Sequence, residues 1–186
     1  MIFIYSAEIL GEINNFYGTF TYFDSILHTI NGFLCASVGF SLVYLLNENI
    51  ESLKLTPIFV ALVSFCFSMT IGILWEFFEY GMDTYFKLDM QKDEYVYNIR
   101  TVTLDPKQDN NVISIEGIDH TILYDKDDNV LATIDGYLDV GINDTMKDLI
   151  VNFIGAIVFS FFGYLYMINQ DKYKLAGKFL TRKAKD

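Results

Sequence analysis

Residues 58–75 contain no charged side chain, and the run is long enough to cross a bilayer. It ends on Trp75 and continues into a segment that carries Glu76, Glu79 and Asp83. On a helix the three acids are spaced i, i+3, i+7 and share one face. Two further apolar runs have similar length, residues 26–46 and 149–168. Each meets the requirement of about 20 residues for a spanning helix. Such a chain is constrained to be a small helical membrane protein, because only structures that satisfy their own backbone hydrogen bonds can cross lipid.

The three runs differ from the rest of the chain. Residues 1–22 place Ile2, Ile9, Ile13 and Phe16 at a roughly helical period, with Glu8 and Glu12 on the other side. They read as an amphipathic, interfacial segment. Residues 23–86 hold the first two spans, joined by a short polar loop that closes on Pro57, a residue suited to a helix start. Gly32, Ala36 and Gly39 in the first span would let a neighbouring helix approach closely. Trp75 and Tyr80 suit a membrane–water interface.

Residues 87–143 are polar and acidic, and alternate as strands do over 96–104, 112–115, 121–124 and 130–134. Asp105-Pro106 and residues 125–129 read as turns. A small β-rich extramembrane insert follows, arranged as a meander. Residues 144–169 form the third span. Residues 170–186 form a tail carrying Lys172, Lys174, Lys178, Arg182, Lys183 and Lys185. The fold class expected is all-α and membrane-integral, with three transmembrane helices and this insert.

The basic tail sets the orientation. Lys and Arg favour the cytoplasmic side, so the C-terminus is expected in the cytoplasm and the insert outside it. The first basic residue of the whole chain is Lys54, which agrees with an outer N-terminus and gives no sign of a signal peptide. The formal charge of −11 excludes the usual nucleic-acid binder, which presents Lys and Arg to phosphates. Cys35 and Cys66 lie inside apolar runs without a metal-type spacing, and read as small buried hydrophobes.

This orientation has a geometric consequence. Asp24 and His28 open the first span. Glu76, Glu79 and Asp83 close the second. Asp144, Asp148 and Asn152 open the third, spaced i, i+4, i+8. All three groups then lie at one membrane depth. Ionisable residues inside a span cost about 2.5–3.5 kcal/mol each on insertion scales, so they must be paired, protonated or bound.

Three readings remain open. The residues could be interfacial helix–helix glue. They could bind a divalent cation, with Asp24, His28, Glu76, Glu79, Asp144 and Asp148 as ligands, since oxygen and imidazole donors suit Mg²⁺, Mn²⁺, Ca²⁺ or Zn²⁺. They could form an acid–base or proton-relay set of Asp24, His28, Glu76, Glu79 and Asp148, because neighbouring carboxylates hold one another's pKa up. Asp83 and Asn152 would support either set. Asp125, Asp127 and Asn129 imitate the start of a calcium loop, but Val130 and Gly136 stand where Gly and Glu are needed, so a hairpin turn is expected. His120 reads as a surface residue.

Asp24-x-x-x-His28 with Gly32-Phe33, then Trp75-Glu76-x-x-Glu79, then Asp144-x-x-x-Asp148-x-x-x-Asn152-x-x-Gly155-Ala156 resembles the YjdF-type bacterial inner-membrane proteins. These are similar in turn to the VanZ-like group. The resemblance implies a helical protein of the bacterial inner membrane. It also implies further helices ahead of Asp24, where this chain has only a short segment, and a shorter link than residues 87–143. The function expected is divalent-cation binding or proton relay at the outer side, acting on a lipid or envelope precursor. The other class is a non-enzymatic scaffold using the acidic insert. The partners expected are the bilayer and, because three helices are few to bury such a cluster, a second copy or another membrane protein.

Overall fold

The structure, a computed structural model, describes residues 11, 14, 16–20, 22–50, 52 and 54–180. The amphipathic reading of residues 1–22 lies mostly outside them, as do Arg182, Lys183 and Lys185 of the tail. Five helices are described: α1 (Phe16–Thr19), α2 (Phe23–Asn49), α3 (Pro57–Phe86), α4 (Ile142–Ile168) and α5 (Lys174–Gly177). Six strands lie between α3 and α4: β1 (Tyr95–Val96), β2 (Asn98–Thr101), β3 (Ile113–Glu116), β4 (His120–Tyr124), β5 (Val130–Asp135) and β6 (Tyr137–Leu138). The chain divides into two compact units, residues 1–81 with 146–186, and Met82–Thr145.

In the first unit, α2, α3 and α4 are long and apolar enough to cross a membrane. Their 27, 30 and 27 residues correspond to about 40–45 Å at 1.5 Å per residue, against a hydrocarbon core of about 30 Å. Thr56 caps α3, its carbonyl and hydroxyl oxygens accepting from the Phe59 N–H at 3.0 and 3.4 Å, and Pro57 occupies the first helical position where no donor is needed. The loop between α2 and α3 is closed by Asn47, whose Oδ1 accepts from the Leu55 N–H at 2.7 Å.

Burial in these helices runs opposite to that of a water-soluble bundle. The buried stripe of α3 is Val60, Ala61, Ser64, Ser68, Gly72, Glu76 and Glu79, while Ile58, Leu62, Leu74 and Phe77 are exposed. In α4 the buried stripe is Asp148, Asn152, Gly155, Ala156, Phe159, Ser160 and Gly163, with Ile150, Ile154 and Phe161 outward. Small and polar residues inside and large apolar ones outside are what a lipid solvent selects, because lipid competes for apolar surface as well as a neighbouring helix does. Cys66, expected to be buried, belongs to the exposed face of α3, and Cys35 is half-buried. In a spanning helix an apolar position faces lipid as readily as protein.

Close approach and hydroxyls join the helices. A Cβ on Gly32 would strike the Asn152 carbonyl, and one on Gly155 would strike the Thr29 carbonyl, so α2 and α4 cross backbone to backbone there. The Ser64 and Ser68 hydroxyls donate to the Ala36 and Gly32 carbonyls, both at 2.7 Å. The Ser160 hydroxyl donates to that of Ser64 at 3.2 Å. Away from these contacts the core is Ala36, Phe40, Val60, Ala156 and Phe159.

The second unit carries three antiparallel ribbons, β1–β6, β2–β3 and β4–β5. Thr101 faces Ile113 across β2–β3, and Ile122 faces Thr133 across β4–β5. The strands expected from alternation are present with shifted ends. The meander is not: β3 and β4 are unpaired with one another among the described residues, and β6, which alternation did not mark, returns to β1. Gly117, at φ 69°, turns the chain after β3, and the Ile118 N–H donates back to Tyr97 O at 2.8 Å.

Aspartates build the turns. Asp105 is 5% exposed and accepts from the N–H groups of Lys107, Asp109 and Asn111 and from the Asn111 amide. Asp125 accepts from the N–H groups of Asp127 and Asn129 and from the Asn129 amide, which makes this segment the expected turn. His120 is exposed beside Asp119, at 2.9 Å.

Candidate functional site

The start of α2, the end of α3 and the start of α4 each place carboxylates on the buried face of the first unit. On α2, Asp24 and His28 are one turn apart and so point the same way. His28 is 9% exposed, and its Nε2 stands 3.6 Å from Asp24 Oδ1 and 3.6 Å from Asp148 Oδ2 of α4. On α3, Glu76 and Glu79 are 5% and 8% exposed; Asp148 is 3% exposed. The Trp75 indole N–H donates to Glu79 Oε1 at 2.8 Å, which fixes that carboxylate within its own helix.

Two triads result. Asp24, His28 and Asp148 bring one potential ligand atom each to within 4.8 Å of one another, and so do Glu76, Glu79 and Asp148. Asp148 belongs to both. Five of the residues singled out from the sequence thus converge from three helices, within a single chain, so burial of the cluster does not itself call for a second copy.

The other acids are used differently. Asp83 accepts from the Met90 and Gln91 N–H groups at 2.6 and 2.9 Å. Asp144 Oδ2 accepts from the Lys92 N–H at 2.8 Å, and Thr145 beside it accepts from the Gln91 side chain. Both aspartates organise the start of the Met82–Thr145 unit and are in neither triad. One helical turn separates Asp144 from Asp148, and that turn decides which unit the carboxylate serves.

Asn152 lies one turn beyond Asp148 and is 1% exposed. Its amide N–H reaches the Met69 sulfur at 3.6 Å, and its Oδ1 has no hydrogen-bond partner among the described residues. The amide occupies the space that a side chain at position 72 would fill, because a Cβ there would sit 2.7 Å from Asn152 Nδ2 and 3.4 Å from Oδ1. Gly72 is in turn one turn before Glu76. Gly72 and Met69 were not singled out from the sequence. A small residue four before a buried acid is a signal that could have marked Gly72.

The arrangement offers one imidazole nitrogen and several carboxylate oxygens in a largely dehydrated space. That donor set matches hard or borderline divalent cations. It can equally pass a proton between imidazole and carboxylate.

Outside the spans, burial pushes the Asp93 carboxyl up, and the carboxylates of Asp89, Asp139 and Asp83 push it further the same way. Asp105 is held below the usual carboxylate range, foremost by the Asn111 N–H and then by that of Lys107. Asp125 is lowered by the Asn129 side chain and backbone.

Comparison with curated proteins finds no match, and comparison with solved structures finds none. A family model described as "Predicted membrane protein (DUF2238)" matches residues 1–169, and with its three spanning-length helices the chain belongs to this family of membrane proteins.

Proposed function

We propose that this protein binds a divalent cation between α2, α3 and α4, with Asp24, His28, Glu76, Glu79 and Asp148 as its ligands. The observation that carries the reading is the meeting of two ligand triads from three helices at Asp148. A buried group of carboxylates around one imidazole is costly unless positive charge accompanies it, and a cation supplies that charge. The outward faces of the helices are apolar, so the substrate class on this reading is an amphiphile reaching the centre from the bilayer, such as a lipid or envelope precursor. The basic tail and the likeness to YjdF-type and VanZ-like proteins support a bacterial inner-membrane location with the insert outside.

The test is elemental analysis of detergent-purified protein together with thermal melts, with and without chelator. A cation at 100 times its Kd stabilises by about 2.7 kcal/mol, which a melt resolves. Bound metal and a chelator-sensitive melt are expected for the wild type, and at least tenfold weaker metal binding for Asp148→Asn. A metal-free wild type with a melt indifferent to added cations would defeat the proposal.

A second reading has its own support. His28 Nε2 lies 3.6 Å from a carboxylate oxygen of Asp24 and 3.6 Å from one of Asp148, so a small movement of the imidazole would bring it into hydrogen-bond range of either, and a proton could pass between them. It predicts activity that follows the titration of His28 with no dependence on metal, and it loses if His28→Gln leaves the pH profile unmoved.

A further inference from the structure

The cation reading leaves open how many ions the cluster takes, and four observations bear on that number. The first is topological. The two triads are contributed by different helices, Asp24 and His28 from α2 and Glu76 and Glu79 from α3, and they share Asp148 of α4. A carboxylate has two oxygens and can serve an ion on each side.

The second is charge. Asp24, Glu76, Glu79 and Asp148 sum to −4 when ionised, with His28 neutral. One divalent ion would leave −2 in a space where three of the four acids are under 9% exposed. Two leave zero, the state that a low-dielectric interior favours.

The third is spacing. His28 Nε2 is 3.6 Å from one oxygen of Asp24 and from one of Asp148, longer than a good hydrogen bond. Ligands bound at about 2.1 Å in a tetrahedral arrangement stand about 3.4 Å apart, so the separation fits an ion seated between these groups.

The fourth lies outside the triads. Asn152, one turn beyond Asp148, has its Oδ1 buried beside position 72, itself one turn before Glu76, with no hydrogen-bond partner among the described residues. A buried acceptor left without a donor is costly, and a water held by a cation in the neighbouring cluster would supply one.

We infer that the cluster is a two-ion centre, with one divalent cation on Asp24, His28 and Asp148, a second on Glu76, Glu79 and Asp148, and Asp148 as the shared ligand. This rests on the cation reading. The first site has nitrogen and oxygen donors and the second only oxygen. Mn²⁺, which accepts both sets, is therefore the probe.

Chelator-stripped protein in detergent is dialysed against MnCl₂, the bound manganese is counted per chain, and the electron paramagnetic resonance spectrum is recorded. Two ions per chain are expected, with the multiline spectrum of a coupled pair. Asp24→Asn and His28→Gln should each leave one ion with an isolated six-line signal, as should Glu76→Gln and Glu79→Gln, while Asp148→Asn should weaken both sites at least tenfold. Asp83→Asn and Asp144→Asn should keep the count at two.

One ion per chain in the wild type, lost equally in all five ligand variants, would overturn the pair while sparing the cation reading. Two uncoupled ions would overturn the shared ligand, and no ion would overturn both. The wild-type count and spectrum decide between these outcomes even where a variant does not fold.

Discussion

Asp105 shows what a single carboxylate can do when its acceptors are filled by backbone. Its pKa is lowered because the folded loop supplies the N–H groups of Asn111, Lys107 and Asp109. A carboxyl whose folded pKa lies below its unfolded value stabilises the fold above the unfolded value, near 3.9, and that contribution is lost as pH falls through the folded value. The amide protection of Lys107, Asp109 and Asn111 is therefore expected to hold at neutral pH, to weaken as pH falls below the ordinary carboxylate value and be lost only as pH passes the lowered folded value, and to be absent at every pH in Asp105→Ala. Hydrogen exchange on the whole protein reads this directly. Asp93 has the opposite sign. Its raised pKa means that folding favours its protonated form, so its contribution falls as pH rises through the folded value. If the Asp105 loop stays protected in acid, the aspartate is not what holds it. The Asp105-Pro106 pair was readable as a turn because it is local. That its carboxylate would be nearly buried was not, since this depends on how the chain from 107 to 111 closes over it.

At the scale of elements, two kinds of contact join the spans and they differ in strength. Interhelical hydroxyl bonds in membrane proteins average about 0.6 kcal/mol, so Ser68→Ala should cost little. Gly155→Ala places a methyl group against the Thr29 carbonyl, and overpacking of this kind costs roughly 1–3 kcal/mol. The expected order in detergent melts is Gly155→Ala well below Ser68→Ala, with Ser68→Ala close to the wild type. The reverse order would mean that the α3–α2 hydroxyl bond contributes more to stability than the close α2–α4 backbone approach. The small-residue stripe of α2 was visible in the sequence. Its counterpart on α4, and the pairing of Gly32 with Asn152 and of Gly155 with Thr29, came from the structure, because a stripe marks a face without naming its partner.

For the whole molecule, the orientation proposed from the basic tail can be checked in cells. A fluorescent protein fused after Asp186 should fluoresce, and an alkaline phosphatase inserted at the Asp125–Asn129 turn should be active, as an enzyme that matures only outside the cytoplasm. The opposite pair of signals would invert the topology, and with it the side from which a substrate or ion reaches the centre. The sequence by itself determined the three spans, since an apolar run of sufficient length needs no distant partner to be recognised, and it determined the turns, whose chemistry lies within a few residues. It also placed polar residues at matching ends of the spans, because alternating passage through a bilayer ties chain position to depth. Tertiary structure alone decided which of those residues meet. Helical spacing assigns a face, whereas the relative height of two helices depends on where their backbones touch, here at Gly32 and Gly155. That height brings Asp148 level with His28 and with the two glutamates and leaves Asp144, one turn away, to accept from Lys92. A shift of a single turn, about 5.4 Å, is invisible in the spacing of residues along one helix and is sufficient to place one aspartate in both triads and leave its neighbour to accept from the Lys92 N–H.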